Sequence, residues 1–139
     1  MRAEAERELL APRADVWAFL AEPYHLSDWW PGIAGVEPDR RGFAPGARWR
    51  VRGTHWTNPF TGRRPVEQLL LIREIDQYER WSWHLVAERL DVEVRLRAAA
   101  PDRTVARVAV EGRFLLGGRQ SLPRKAVERL HALVQTAGR

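Results

Sequence analysis

Two residues near the middle of the chain have the types and spacing for acid–base chemistry. His55 and Glu67 flank the segment NPFTGRRP (58–65), whose prolines, glycine and asparagine read as a hairpin turn. With that turn centred on Thr61, Val51 faces Leu71, Gly53 faces Leu69 and His55 faces Glu67. The first two pairs are apolar or small, which favours this register. His55 and Glu67 then stand opposite each other with β-carbons roughly 5 Å apart, in phase with the inward residues. A carboxylate beside an imidazole sets its tautomer and raises its basicity, and histidine titrates near neutral pH. Such a pair could serve as general base in an aldol-type cyclisation, a dehydration or an isomerisation. The competing reading is a solvated contact at the hairpin rim, worth little. Gly53 is compatible with a bulge, and a one-residue slip there would put the two side chains on different faces.

Other chemistries find little support. His25, His55, His84 and His131 show no metal-ligand spacing and there is no HExxH, so no metal site is expected. No GxGxxG, P-loop or GxSxG occurs, and no cofactor is called for. The absence of cysteine excludes disulfides, thiolate zinc sites and cysteine nucleophiles. Tyr24 and Tyr78 could donate hydrogen bonds in a cavity but read better as surface-loop residues, and Arg73 reads as a surface arginine.

The aromatic residues are more informative. Seven tryptophans occur in 139 residues. Trp29 and Trp30 lie together in HLSDWWPGI (25–33), where Pro31 and Gly32 force a turn. One is expected to plug the end of the core and the other to pack on the surface; alternatively Trp30 is a lid that touches a ligand. Trp49, Trp81 and Trp83 fall in the apolar phase of alternating segments, and Trp56 stands at the end of one. Inward aromatics with few polar partners make walls for a flat, apolar ligand, or else they fill the space themselves.

These positions depend on elements with clear periodicity. Residues 2 to 10 read as a first strand. In APRADVWAFLAE, Pro12 suits the first turn of a helix, Val16, Phe19 and Leu20 share one face with Trp17 beside them, and Pro23 ends the helix. Residues 24 to 30 form one more helical turn, with Trp30 the last of it because the residue before proline leaves the α region. About six strands follow through short turns. In LDVEVRLR, Leu90, Val92, Val94 and Leu96 point one way and Asp91, Glu93, Arg95 and Arg97 the other. A helix over about 122–137 carries a stripe of Leu122, Ala126, Leu130, Leu133, Val134 and Ala137. Consecutive strands and one polar face per strand predict an antiparallel sheet with its other face covered. The C-terminal helix is the element expected to cover it, so the class is α+β in one domain, 1–139.

At this point the chain resembles the START-like (helix-grip) superfamily, in particular small bacterial polyketide cyclase/dehydrase-like proteins. The residues that carry the resemblance are LLAPRADVWAFLAEP (9–23), HLSDWWPGI running into AGVEPD, PG at 45–46, RTVARVAVEG (103–112) and the closing helix. The resemblance implies a curved antiparallel sheet of about seven strands around a long C-terminal helix, with two short helices between the first two strands. It further implies a cavity that takes a hydrophobic small molecule of aromatic, polyketide or lipid type. Its lining would come from Trp30, Trp49, Val51, Leu69, Leu71, Trp81, Trp83, Val92, Val94 and Leu130. Whether turnover accompanies binding is left open.

A net charge of +5, with arginine as every basic residue but Lys125, admits a second reading as a nucleic-acid or protein-partner module. RWRVRGTHW interleaves arginine and aromatics as single-strand platforms do. Alternation, however, sends the rings to one face and the arginines to the other, which argues against nucleic acid. The start MRAEAEREL lacks the apolar run of a secretion signal and no segment is long and apolar enough to span a membrane. A cytoplasmic monomer or homodimer is the expectation.

Overall fold

Alternation in the strands sorts apolar from charged side chains and so shapes the molecule. The computed structural model describes residues 1–53, 67–113 and 119–137. Its strands are β1 (Arg2–Leu9), β2 (Ile33–Glu37), β3 (Arg48–Gly53), β4 (Gln68–Asp76), β5 (Arg80–Leu85), β6 (Leu90–Ala100) and β7 (Arg103–Gly112). They form a single curved antiparallel sheet in the order β1-β7-β6-β5-β4-β3-β2. Between β1 and β2 come α1 (Arg13–Ala21), a 3-10 turn (Pro23–His25) and α2 (Leu26–Trp29), and the chain closes with α3 (Leu122–Ala137). This is the helix-grip architecture that the element order predicts.

β6 shows the sorting plainly. Leu90, Val92, Val94 and Leu96 are buried, while Asp91, Arg95 and Arg97 are exposed. In α1, Val16, Trp17 and Leu20 are buried. Phe19 is only half-buried and stacks on His25, with ring centroids 4.2 Å apart. Pro12 is the cap of α1 rather than part of its first turn: its backbone is extended, and its carbonyl accepts from the N–H groups of Asp15 and Val16.

α3 does not cover the whole concave face. It lies against β1, β7 and α2 and buries Ala126, Val127, Leu130 and Val134. Rings from α1, from α2 and from the segment after β2 pack under the middle strands. The expectation of α3 as sole cover is corrected accordingly.

The β3–β4 register also differs from expectation. Val51 pairs with Gln68, Trp49 with Leu70, Arg50 with Leu69 and Arg48 with Leu71. Sliding by an odd number of residues exchanges the faces of β4. Leu70 and Ile72 are buried, Leu69 is 39% exposed and Leu71 is half-buried on the arginine side. The physical reason is Gln68. Its amide donates to Glu88 (2.9 Å) and accepts from the N–H of Ala87 (3.1 Å). With its polar atoms satisfied, a glutamine can face inward. The apolar run Leu69–Ile72 offers no alternation to oppose that choice.

Candidate functional site

The register places rows of side chains on the concave face. One row runs Trp49, Leu70, Leu85, Leu90; the next runs Ile72, Trp83, Val92, Val110; a third runs Ile75, Trp81, Val94, Val108. Apart from the half-buried Ile75, all of these are buried. Trp49, Trp81 and Trp83 are therefore inward, flanked by Val92 and Val94 as expected, and Val51 is buried on the same strand as Trp49.

Trp29 and Trp30 complete the cluster from the opposite side. Trp29 ends α2, and Trp30 is the residue after it, in extended backbone as Pro31 demands. Gly32 then takes φ +83°, a conformation that favours glycine, and the chain turns into β2. Both indoles drop inward and are 0% and 2% exposed. The expectation that one packs on the surface is corrected. A tryptophan pair at a turn is how a four-residue helix delivers two rings to the same interior.

The rings touch in a continuous chain. Trp30 meets Trp83 at 5.4 Å and 78°, Trp29 meets Trp83 at 5.9 Å and Trp81 at 6.2 Å, and Trp81 lies 4.4 Å from Trp83. Phe43 stands edge-on to Trp81 at 4.9 Å and to Trp17 at 5.6 Å, and Trp17 reaches the partly exposed Tyr78. Such edge-to-face contacts add stabilisation beyond buried area. The indoles thus occupy the space beneath β3–β5.

Their polar atoms are unequal. The Trp49 Nε1–H donates to the Gly42 carbonyl at 2.7 Å. The indole N–H groups of Trp29, Trp81 and Trp83 are buried with no hydrogen-bond partner among the described residues. The buried polar residues described are Gln68 and Thr104. Gln68 is committed as above, and Thr104 donates to the Ala11 carbonyl at 2.8 Å.

Of the expected His55–Glu67 pair, only Glu67 is among the described residues. Glu67 is exposed and lines an outer groove of about 300 Å³ with Glu37, Arg50 and Arg52; the β3–β4 register puts it there. His55 and Trp56 lie outside the described residues. A histidine–carboxylate pair does occur elsewhere: His84 Nδ1 lies 2.8 Å from Asp91 Oδ1, across β5 and β6 on the outer face. Reading those strands as a tight hairpin would have found it. Tyr24 and Arg73 are exposed, as expected. Among the described residues no group of His, Asp or Glu is arranged to hold a metal ion, and no helix is long and apolar enough to cross a membrane.

The outer face is a lattice of ion pairs. Arg80 reaches Glu74, Asp76 and Glu93; Arg95 reaches Glu93; Arg107 reaches Glu4; Arg50 reaches Glu37. The hydrogen bond from Arg107 is the main reason the Glu4 carboxyl is held below its usual range. Arg13, Arg95, Arg97 and Arg107 border a shallow groove of about 590 Å³.

Residues 10–132 match the family model described as activator of Hsp90 ATPase homolog 1-like protein. The chain belongs to that family. The START-like resemblance therefore stands for this AHSA1-like chain. No curated protein matches it. Among solved structures it is similar to the di-domain ARO/CYC BexL of the BE-7585A biosynthetic pathway, with TM-score 0.75 and 17% identity. That likeness covers 99% of this chain and 47% of BexL, so the AHSA1-like chain spans about half of that protein. It is also similar to Thalictrum flavum norcoclaurine synthase, with TM-score 0.70, 15% identity and coverage of 100% and 96%. A third neighbour is Ara h 8.0201, with TM-score 0.66, 14% identity and coverage of 98% of each chain. At these identities the neighbours fix the fold of the AHSA1-like chain.

Proposed function

We propose that this protein binds a flat, largely apolar small molecule between the concave face of the sheet and its helices, among the indoles of Trp29, Trp30, Trp81 and Trp83. The observation that carries this reading is the clustering of four buried tryptophans from two separate elements on one interior. A core needs only volume, which leucine supplies without an N–H that must be satisfied. Indole walls instead offer edges and faces to another ring. A bound aromatic would meet ring edges and faces of the kind these indoles offer one another. Likeness in fold to an aromatase/cyclase and to norcoclaurine synthase supports a ring-bearing ligand.

Binding without turnover is the form the described residues favour. Neither buried polar side chain, Gln68 or Thr104, is an acid or base, and both are hydrogen-bonded. Titration with fluorene, followed by calorimetry and thermal unfolding, tests the reading. Saturable binding with a raised Tm is the expected result, accompanied by a change in tryptophan emission. A protein whose Tm and heat signal ignore fluorene and other polycyclic aromatics would end the proposal.

A further inference from the structure

β6 outruns its neighbour at one corner of the sheet. β5 begins at Arg80, which faces Arg95, and the N–H of Leu96 still donates to the Glu79 carbonyl at 2.9 Å. From there to Ala100 the strand has β7 on one side and no described strand on the other. Alternate residues of a strand aim their N–H groups the same way, so Ala98 presents a free N–H towards the open side. The groove of about 590 Å³ lies at this overhang, with Glu79, Leu96 and Ala98 among its walls. Arginines surround the free donor. Arg95 and Arg97 share the outer face of β6, and Arg107 stands directly opposite Arg95. Like charges placed opposite each other destabilise a sheet. Arg95 and Arg107 offset this through Glu93 and Glu4, which lie in the next row. Arg97, and Arg13 from α1, have no hydrogen bond or ion pair among the described residues.

We propose that this corner binds the phosphate group of a small hydroxylated molecule, of sugar-phosphate size, between Arg97, Arg13 and the Ala98 N–H. Guanidinium forks match phosphate oxygens in pairs. Two forks and an amide suit the three oxygens of a phosphate better than the two of a carboxylate. The carboxylates of Glu6 and Glu79, in the same groove, accept from hydroxyl groups on the ligand's frame. A long polyanion is disfavoured, because Glu4, Glu93 and Glu74 interrupt the positive surface beside the groove. A strand-adding peptide is disfavoured as well. The register shifts after Ala98, which leaves a single regular edge position for main-chain pairing. The site lies apart from the indole cluster and stands whether or not the interior takes a ligand.

Ribose 5-phosphate and ribose differ by the phosphate alone, and calorimetry in dilute chloride buffer compares them. Wild-type protein should bind ribose 5-phosphate saturably at one site and ignore ribose, and the Ala98 amide signal should move in an NMR titration. R97A should weaken binding about tenfold, the loss expected for a charge-assisted contact. R97K keeps the charge and loses the fork, so its loss should be smaller than that of R97A. Arg73 is another exposed arginine without a partner among the described residues, and it borders a different groove. R73A lowers the net charge equally and should leave affinity within about twofold, since a distant exposed charge is screened. Lack of saturable binding, an unmoved Ala98 signal, or an equal loss in R73A and R97A would overturn the proposal. So would binding of hexaglutamate in place of ribose 5-phosphate, which would assign the corner to an acidic peptide. The wild-type comparison and the Ala98 signal need no variant, so the test is decisive even where a substitution disturbs folding.

Discussion

Trp29 and Trp83 stand edge to face, with ring centroids 5.9 Å apart and planes at 87°, and neither N–H has an acceptor among the described residues. One ring comes from a single turn of helix and the other from a central strand. Their meeting ties α2 to the sheet through apolar contact alone.

The orphaned and satisfied indoles should respond differently to the same change. W49F removes a hydrogen bond and strands the Gly42 carbonyl, whereas W81F removes an N–H that has no partner. The ring volume lost is the same in both, so W49F should cost about 1 kcal/mol more. Urea unfolding with unchanged m-values measures the difference, which corresponds to about 4 °C in Tm. Equal costs would mean that Trp81 has a partner after all.

The fold was legible because alternation and punctuation agree over most of the chain. Leu90 to Arg97 could only be a strand with one wet face, and Pro31 fixed the end of α2. The inward phase of Trp49, Trp81 and Trp83 followed from the same alternation. β4 was not legible. Leu69, Leu70, Leu71 and Ile72 are equivalent by apolarity, and the phase is set by Gln68, whose partners Ala87 and Glu88 lie about twenty positions away. That single non-local amide moved Leu69 and Leu71 outward and Glu67 with them. The register assumed for the His55–Glu67 pairing departs from the observed one there, because short-range pattern cannot specify it. Burial of both Trp29 and Trp30 was hidden for a related reason. Adjacent residues on a helix point about 100° apart, and only the extended backbone of Trp30 brings its ring back to the same side.

Two glycines of one segment should separate backbone strain from side-chain crowding. At Gly32, with φ +83°, a Cβ would meet nothing within 4 Å. G32A should therefore destabilise by about 1 kcal/mol through conformation alone. At Gly35 a Cβ would come 2.8 Å from Nη2 of Arg52, the end of a flexible side chain. Since that guanidinium can move aside, G35A should change stability by at most about 0.5 kcal/mol. Chemical unfolding of the two variants checks the order, and a larger cost at Gly35 would contradict it.

Arg80 joins three acids across β4, β5 and β6, and only about a quarter of its side chain is exposed. R80A leaves Glu74, Asp76 and Glu93 facing one another, whereas Arg95 retains only Glu93. Replacing Arg80 should cost about 1 kcal/mol in dilute buffer, at the upper end for surface pairs because the site is a network. Added salt should narrow the gap by screening both the lost attraction and the new repulsion. A deficit indifferent to 1 M salt would assign it to packing of the arginine stem instead.

Asp39 gives the clearest pH dependence. Its carboxyl is held below the usual range mainly because it accepts the backbone N–H of Arg48, at 2.9 Å, and further because it accepts that of Arg41, at 3.0 Å. A depressed folded value means that the unfolded state takes up the proton first as pH falls. The contribution of Asp39 is therefore complete above the unfolded pKa, about 3.9, and disappears as pH drops through the lower folded value. D39N keeps one acceptor oxygen of the two and does not titrate. Its deficit relative to wild type should be constant from pH 7 to about 5 and shrink below about 4, as the wild type loses its advantage. The Glu4 carboxyl, depressed by Arg107, adds a slope of the same sign to both proteins and cancels in the comparison. Urea midpoints of wild type and D39N between pH 2 and 7 measure this directly. A deficit that grows on acidification would show that Asp39 is protonated more readily in the folded protein than in the unfolded chain.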